Sequence, residues 1–168
     1  MRAPLAKLVR KDFGIRLKSV APHFSEAKGE NIPPGDRLFV WEVAPTLRFY
    51  LLLQIHQHED WFTIEVGISR TGRWPAYALT PVEPDRHAQG DSRFRLGRLW
   101  APPQQDLWWE LAPRPPSGAS FEAYANRTPV ESLFSKVNPL VEDAVRRFEE
   151  YGMPWLREVA IEAGHPIE

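Results

Sequence analysis

The stretch RFYLLLQIHQHEDWFTIEVGISR, residues 48–70, decides the fold that the sequence predicts. Apolar and polar residues alternate in each of its halves, a period of two that is typical of half-buried β-strands. One face collects the large apolar side chains: Phe49, Leu51, Leu53, Ile55, Phe62, Ile64, Val66 and Ile68. We therefore predict a long β-hairpin against which the rest of the chain packs.

The connection at residues 59–60 sets how the two halves pair. A two-residue turn there, or a four-residue loop of the same parity, places His56 opposite Thr63 and Gln54 opposite Glu65. A slip of one residue would turn the apolar side chains of the two strands to opposite faces, so we expect this register. Glu-Asp is not a favoured pair for a two-residue turn, which leaves the longer loop open.

Residues 37–43, 93–100 and 107–111 are predicted to add three strands. The first of them alternates in the same way, and a short connection at 44–46 places Trp41 opposite Phe49. Residues 22–36 and 71–92 are predicted loops because prolines and glycines interrupt both. Strands joined by short connections pair antiparallel, so we expect a five-stranded antiparallel meander.

Helices are predicted at both ends of the chain. Residues 4–20 carry an apolar stripe with helical spacing. Several signals bound the C-terminal helices: a capping box at residues 128–131, starts at Asn138-Pro139 and Pro154, and ends at Gly152 and Gly164. Strands followed by helices, without βαβ alternation, predict one α+β domain over residues 1–168, its meander packed on the N-terminal and C-terminal helices.

Composition excludes several classes of site. The 168 residues include no cysteine, which excludes disulfides, thiolate zinc sites and a cysteine nucleophile. A net charge of −1 gives no overall attraction to nucleic acid or anionic membrane. No apolar run has the length of a signal peptide core or a transmembrane helix, so we expect a cytoplasmic protein.

Motifs for catalysis are absent: no phosphate-binding loop, dinucleotide fingerprint, zincin helix or nucleophile elbow occurs. We therefore predict no catalytic residue, no metal and no cofactor. The alternative is a small enzyme or metal-dependent hydrolase on the outer sheet face. There His56 and His58 would bind metal, or Glu65 would orient His56 as a general base.

The residues predicted to bind a partner are His56, Glu65, Trp74, Arg93 and Arg95. His56 and Glu65 belong to a polar patch on the outer sheet face. The alternative to a binding role is that this patch is an ordinary solvated sheet face. Trp74 lies in the long 71–92 loop, and loops of this length are often functional. Arg93 and Arg95 lie among aromatic residues. A weaker alternative prediction is that they bind nucleic acid, through contacts of the arginines with phosphates and stacking of bases on the aromatic rings.

The N-terminal helix is basic. Its cations are Lys7, Arg10, Lys11, Arg16 and Lys18. They either decorate the solvent side of a core helix or form a surface for phosphate or an acidic partner.

The segment FEEYGMPWLREV, residues 148–159, resembles the closing helix segment of a family of small bacterial proteins of unknown function. The resemblance implies an N-terminal helix, an antiparallel meander and a helical end, and the family supplies no established catalytic residues that could be carried over to this chain. Some small bacterial proteins of similar layout are immunity partners of toxins, an analogy of layout only. Our leading prediction is a cytoplasmic binding module that recognises a protein partner through the outer sheet face and the 71–92 loop. A homodimer is also among the predicted assemblies.

Overall fold

The structure, a computed structural model, describes residues 1–28, 32–72, 82–88, 90–100, 107–113 and 128–167. Within these ranges the strands are β1 (Ser25–Ala27), β2 (Arg37–Ala44), β3 (Leu47–Ile55), β4 (Trp61–Ser69), β5 (Ser92–Arg95) and β6 (Trp109–Glu110). The α-helices are α1 (Ala3–Val20), α2 (Phe134–Arg147) and α3 (Met153–Glu162). Short 3₁₀ turns at Leu96–Leu99 and Val130–Leu133, and a π-helical turn at Phe148–Gly152, complete the described elements.

The strands form one antiparallel sheet in the order β1-β2-β3-β4-β5, and β6 pairs with β4. The helices cover one face of this sheet, which confirms the predicted α+β fold. Phe13 of α1 packs on Phe39 of β2, with ring centroids 5.7 Å apart. Trp155 of α3 packs on Phe94 of β5 at 4.6 Å. The apolar hairpin residues and the apolar stripes of the helices therefore share one core.

The strand predictions need three corrections. The predicted 22–36 loop contains the edge strand β1, which pairs with β2. The predicted strand at 93–100 ends at Arg95, where the chain turns into a 3₁₀ helix and buries Leu96. Because β5 covers only the far half of β4, β6 pairs with the other half of β4 rather than continuing the meander after β5.

The hairpin keeps its predicted faces, but its pairs are shifted by two residues. Gln54 lies opposite Thr63, and Ile55 lies opposite Phe62. The chain between the strands is therefore a longer loop, residues 56–60. Polar contacts build this loop, because the His56 Nδ1 accepts the backbone N–H of Glu59 at 2.9 Å. The predicted pairing of Trp41 with Phe49 in β2 and β3 is confirmed.

The C-terminal helices run on where the sequence signals predicted breaks. No side-chain hydrogen bond caps the 3₁₀ turn at Val130–Leu133, so the predicted capping box is wrong. Pro139 lies inside α2 rather than at a helix start. Gly152 does not end a helix either, since the π-helical turn leads directly into α3. Gly164, with φ of 77°, follows α3 as predicted.

Among the described helices, none has both the length and the apolar character needed to cross a membrane.

Candidate functional site

The outer face of the sheet is buried around β4, so the expectation of a solvated polar patch there is wrong. Thr63, Glu65 and Arg93 are 1%, 2% and 5% exposed. Thr63 Oγ1 donates a hydrogen bond to the backbone oxygen of Leu107 at 2.5 Å, which ties the 107–113 segment to β4 beside the pairing of β6, and the Trp108 ring of this segment lies against Arg95 on the outer face. The face is thus an internal layer rather than an open docking surface.

Three of the predicted binding residues meet in this layer. The Glu65 carboxylate lies 3.4 Å from Arg93 Nη1 and 3.9 Å from Arg95 Nε. The Arg95 guanidinium in turn lies over the Trp108 ring, 4.9 Å from its centroid. Removing one member of such a buried charge group is strongly destabilising. These residues, the Glu65 cluster, therefore hold the outer layer in one arrangement.

A pocket of about 360 Å³ opens beside this cluster, at the loop end of the hairpin. Its polar lining includes Asp36, Gln54, His56, His58 and Arg95, with Trp108 as the aromatic wall. We call it the hairpin-end pocket. It brings the predicted residues His56 and Arg95 together, whereas Trp74 lies outside the described residues.

His56 is held as a hydrogen-bond donor. Its Nδ1 accepts backbone N–H groups from His58 at 3.2 Å and Glu59 at 2.9 Å, so the neutral ring carries its proton on Nε2. Glu65 pairs with Leu52 in the sheet, and Leu52 precedes His56 by four residues along the chain. That spacing separates Glu65 from His56 by roughly 13 Å along the strand. The structure therefore does not form the expected pair of a general base and its orienting carboxylate.

Metal binding by the two histidines gains no geometric support. Among the described residues, no group of three or more possible ligands has the spacing to hold a metal ion. His56 and His58 have ring centroids 6.4 Å apart, and His58 is exposed.

Asp60 anchors the same loop to the N-terminal end of α1. Arg2 donates to its carboxylate from the backbone N–H at 2.9 Å, from Nε at 3.0 Å and from Nη2 at 2.7 Å. Burial by itself raises the pKa of Asp60, but the hydrogen bonds and the charge of Arg2 outweigh burial and lower this pKa below its ordinary value. The hairpin loop therefore depends on an ionised Asp60.

A second cavity, of about 750 Å³, lies on the opposite side of the sheet between α1 and the β1–β2 edge. Its cations are Lys7, Arg10, Lys11, Lys18 and Arg37. Among the described residues its lining contains one carboxylate, Glu26, which is ion-paired with Arg37. Leu17, Phe24 and Phe39 form its apolar floor. We call this cavity the α1 groove.

The spacing of residues along α1 explains this groove. Leu5, Val9, Phe13 and Leu17 recur every four residues and are buried in the core. Separations of four and seven residues, which also keep side chains on one helix face, turn Lys7, Lys11 and Lys18 to the groove. No ion pair of these lysines occurs within the described parts of the chain. Ile15 on the groove wall is 62% exposed. The groove thus combines unneutralised positive charge with accessible apolar surface.

The chain matches no protein-family model, no curated protein and no solved structure. The resemblance of residues 148–159 to a bacterial family stays a prediction.

Trp108 and Asp36 belong to the hairpin-end pocket and were missed by the sequence reasoning. A signal for Trp108 existed, because two adjacent tryptophans in a strand must point to opposite faces of a sheet. Trp109 packs in the core against Phe62, which leaves Trp108 on the outer face. Asp36 gave no comparable signal.

Proposed function

We propose that this protein is an interaction module that recognises an acidic segment of a partner protein through the α1 groove. The observation that carries the proposal is the row of Lys7, Lys11 and Lys18 beside an apolar floor, with no ion pair for these lysines in the described residues. The predicted type of partner is kept, but the surface differs from the predicted outer sheet face, which is buried.

Two contributions to the binding free energy favour such a partner. Lysines along the groove attract carboxylates and steer association, a contribution that falls as ionic strength rises. Apolar side chains of the partner gain about 25 cal/mol for each Å² that they bury against Ile15, the exposed apolar side chain of the groove wall. A segment carrying both acidic and apolar residues uses both terms.

Nucleic acid fits the groove less well than an acidic peptide does. Single-stranded nucleic acid binds by stacking its bases on exposed aromatic rings. The floor aromatics Phe24 and Phe39 are each 6% exposed, so their rings offer little stacking surface. The chain as a whole carries a net charge of −1. A protein segment, whose side chains alternate between acidic and apolar, is therefore the occupant that we propose.

The immunity-like role suggested by layout is one form of this proposal, since immunity proteins act by binding another protein. The enzyme alternative is not carried forward, because His56 is held as a donor and lies far from Glu65 along the strand.

The proposal is tested with two charge-reversal variants of equal net charge. Lys11→Glu/Lys18→Glu removes the net positive charge of the groove lining, and Lys28→Glu/Arg157→Glu makes the same charge change at exposed cations outside that lining. Wild type and both variants are used as baits in the lysate of the source cell, and retained proteins are quantified by mass spectrometry. The segment of any partner that contacts the bait is mapped by hydrogen exchange.

We expect a partner that wild type and the control variant retain and the groove variant loses. Its protected segment should be acidic with apolar residues, and binding should weaken with salt. A partner retained equally by the groove variant, or no partner specific to wild type, would refute the proposal. A second copy of the chain or a nucleic acid in the groove would also contradict it, and native mass spectrometry identifies both.

A further inference from the structure

The hairpin-end pocket has a distribution of charge that the α1 groove does not have. It lies on the other face of the sheet, and its volume of about 360 Å³ falls within the range of small-molecule sites. Its lining brings together a guanidinium, a carboxylate, an imidazole and an amide. A ligand in this pocket therefore meets both signs of charge.

The positive side of the pocket is Arg95, and two neighbours hold its side chain in place. Trp108 lies under the guanidinium at 4.9 Å, and Glu65 lies 3.9 Å from Nε, beyond hydrogen-bonding distance. A planar guanidinium fixed in this way presents its N–H groups in the geometry that a carboxylate accepts. His56 adds a second donor, its Nε2–H, because its Nδ1 is already an acceptor.

The negative side of the pocket is Asp36. Its Oδ1 accepts the backbone N–H of Ile55 at 2.8 Å, and the residue is 9% exposed. Asp36 directly precedes β2, whereas Arg95 ends β5, and β3 and β4 lie between them. Three strand spacings separate their backbones by roughly 14 Å, and the long Arg95 side chain reaches back over β4. The opposite charges therefore enter the pocket from opposite sides.

We propose that the hairpin-end pocket binds a small zwitterion, namely a free α-amino acid. Its carboxylate binds Arg95 and the Nε2–H of His56, and its ammonium group binds Asp36. A dianion would meet the Asp36 carboxylate, and a simple amine would meet Arg95, so a molecule with both charges fits best. Gln54 supplies an amide that can donate or accept toward the amino-acid side chain.

The experiment is a ¹⁵N–¹H NMR titration of the full chain with each common L-amino acid. Concentrations reach about 10 mM, at which a Kd of about 1 mM is detected. We expect at least one amino acid to give saturable shifts of the Trp108 indole N–H and the Arg95 Nε–H. The N-acetyl and carboxamide derivatives of that amino acid, which each lack one charge, should bind at least about tenfold more weakly.

Two variants and a control localise the effect. Asp36→Asn keeps the oxygen that accepts the Ile55 N–H but removes the charge, and Arg95→Lys keeps the charge but loses the fork of donors. Both should weaken binding at least about tenfold, a change of about 1.4 kcal/mol. Arg98→Lys lies outside the pocket lining and should bind as wild type does. The spectrum of each variant reports whether it folds, and Asp36→Asn alone suffices if Arg95→Lys does not.

The proposal is overturned if no amino acid produces saturable shifts. It is also overturned if the acetylated form binds as well as the free one, or if folded Asp36→Asn retains full affinity. The variant Lys11→Glu/Lys18→Glu should bind the amino acid normally, so failure of this proposal and failure of the proposed protein docking are distinguishable.

Discussion

Two glycine-to-alanine substitutions in helical segments should change stability in opposite directions. Gly152 lies at the end of the π-helical turn, where an added Cβ would overlap Phe148 Cδ2 and lie 2.8 Å from Cε2. Gly14 lies inside α1, where an added Cβ meets nothing within 4 Å. Both substitutions gain the same helix propensity, so their difference isolates the contact with Phe148.

The magnitudes follow from two opposed terms. Alanine is favoured over glycine in a helix by about 1 kcal/mol. Overpacking a core costs about 1–3 kcal/mol, and Phe148 is 0% exposed with its ring against Phe24 at 5.8 Å, so it has little room to move. We expect Gly152→Ala to lower the free energy of unfolding by about 2 kcal/mol, because the overlap exceeds ordinary overpacking. Gly14→Ala should raise it by about 0.5–1 kcal/mol.

Urea unfolding and thermal scans measure both substitutions. For a chain of this size we expect Tm to fall by about 4–8 °C in Gly152→Ala and to rise by about 2–3 °C in Gly14→Ala. In a Phe148→Leu background, the cost of Gly152→Ala should shrink by at least about 1 kcal/mol. If Gly152→Ala is as stable as wild type, or if its cost is unchanged in that background, the Phe148 contact does not explain this glycine.

Acid titration of Asp60→Asn tests the loop anchor. At pH 7 the variant should be about 2 kcal/mol less stable than wild type, because it loses charge-assisted hydrogen bonds from Arg2. The pKa of Asp60 is lowered in the folded chain, so its contribution is complete above the unfolded value of about 3.9 and disappears as pH falls below it. Urea unfolding between neutral and acid pH should therefore show the gap closing, and a constant gap would contradict the anchor. Glu65→Gln should lower the free energy of unfolding by about 3 kcal/mol, because it leaves buried arginines without their carboxylate. In the same assay Glu83→Gln, in the exposed pair with Arg98, should change the free energy of unfolding by less than about 0.5 kcal/mol. Equal costs of the two substitutions would contradict a special role for the Glu65 cluster.

The faces of the hairpin were predictable, but the exact pairs were not. A period of two determines which side chains face the core, and a shift of two residues leaves that choice unchanged. The loop length is decided instead by contacts that are distant in sequence, such as the anchoring of Asp60 by Arg2. For the same reason the helix breaks predicted at Asn138-Pro139 and Gly152 were wrong. Tertiary packing of α2 overrides the local signal of its proline.

The burial of the outer sheet face had a signal that the sequence reasoning did not use. Tyr50 and Leu52 on this face are apolar as well, and a strand apolar on both sides is typical of a sheet covered on both faces. In the structure they form a separate small cluster with Leu38. The cationic row of the α1 groove was predictable from helical spacing. Its floor was not, because Phe24 leads into β1, a strand that the proline-rich loop prediction excluded.

Buried polar contacts give the outer face its role. The Trp61 indole N–H donates to the Ala112 oxygen at 3.0 Å, and the Thr63 hydroxyl donates to the Leu107 oxygen, so β4 fixes both ends of the 107–113 segment. Polar bonds of this kind have strict geometry, and a misplaced segment would leave them unsatisfied at a cost of about 1–3 kcal/mol each. That geometry positions Trp108 beneath Arg95, and so the hairpin-end pocket exists only when the segment is in place. The polar hairpin residues that suggested an exposed docking face therefore build a covered one, and the open charged surface of the described chain lies across the sheet along α1.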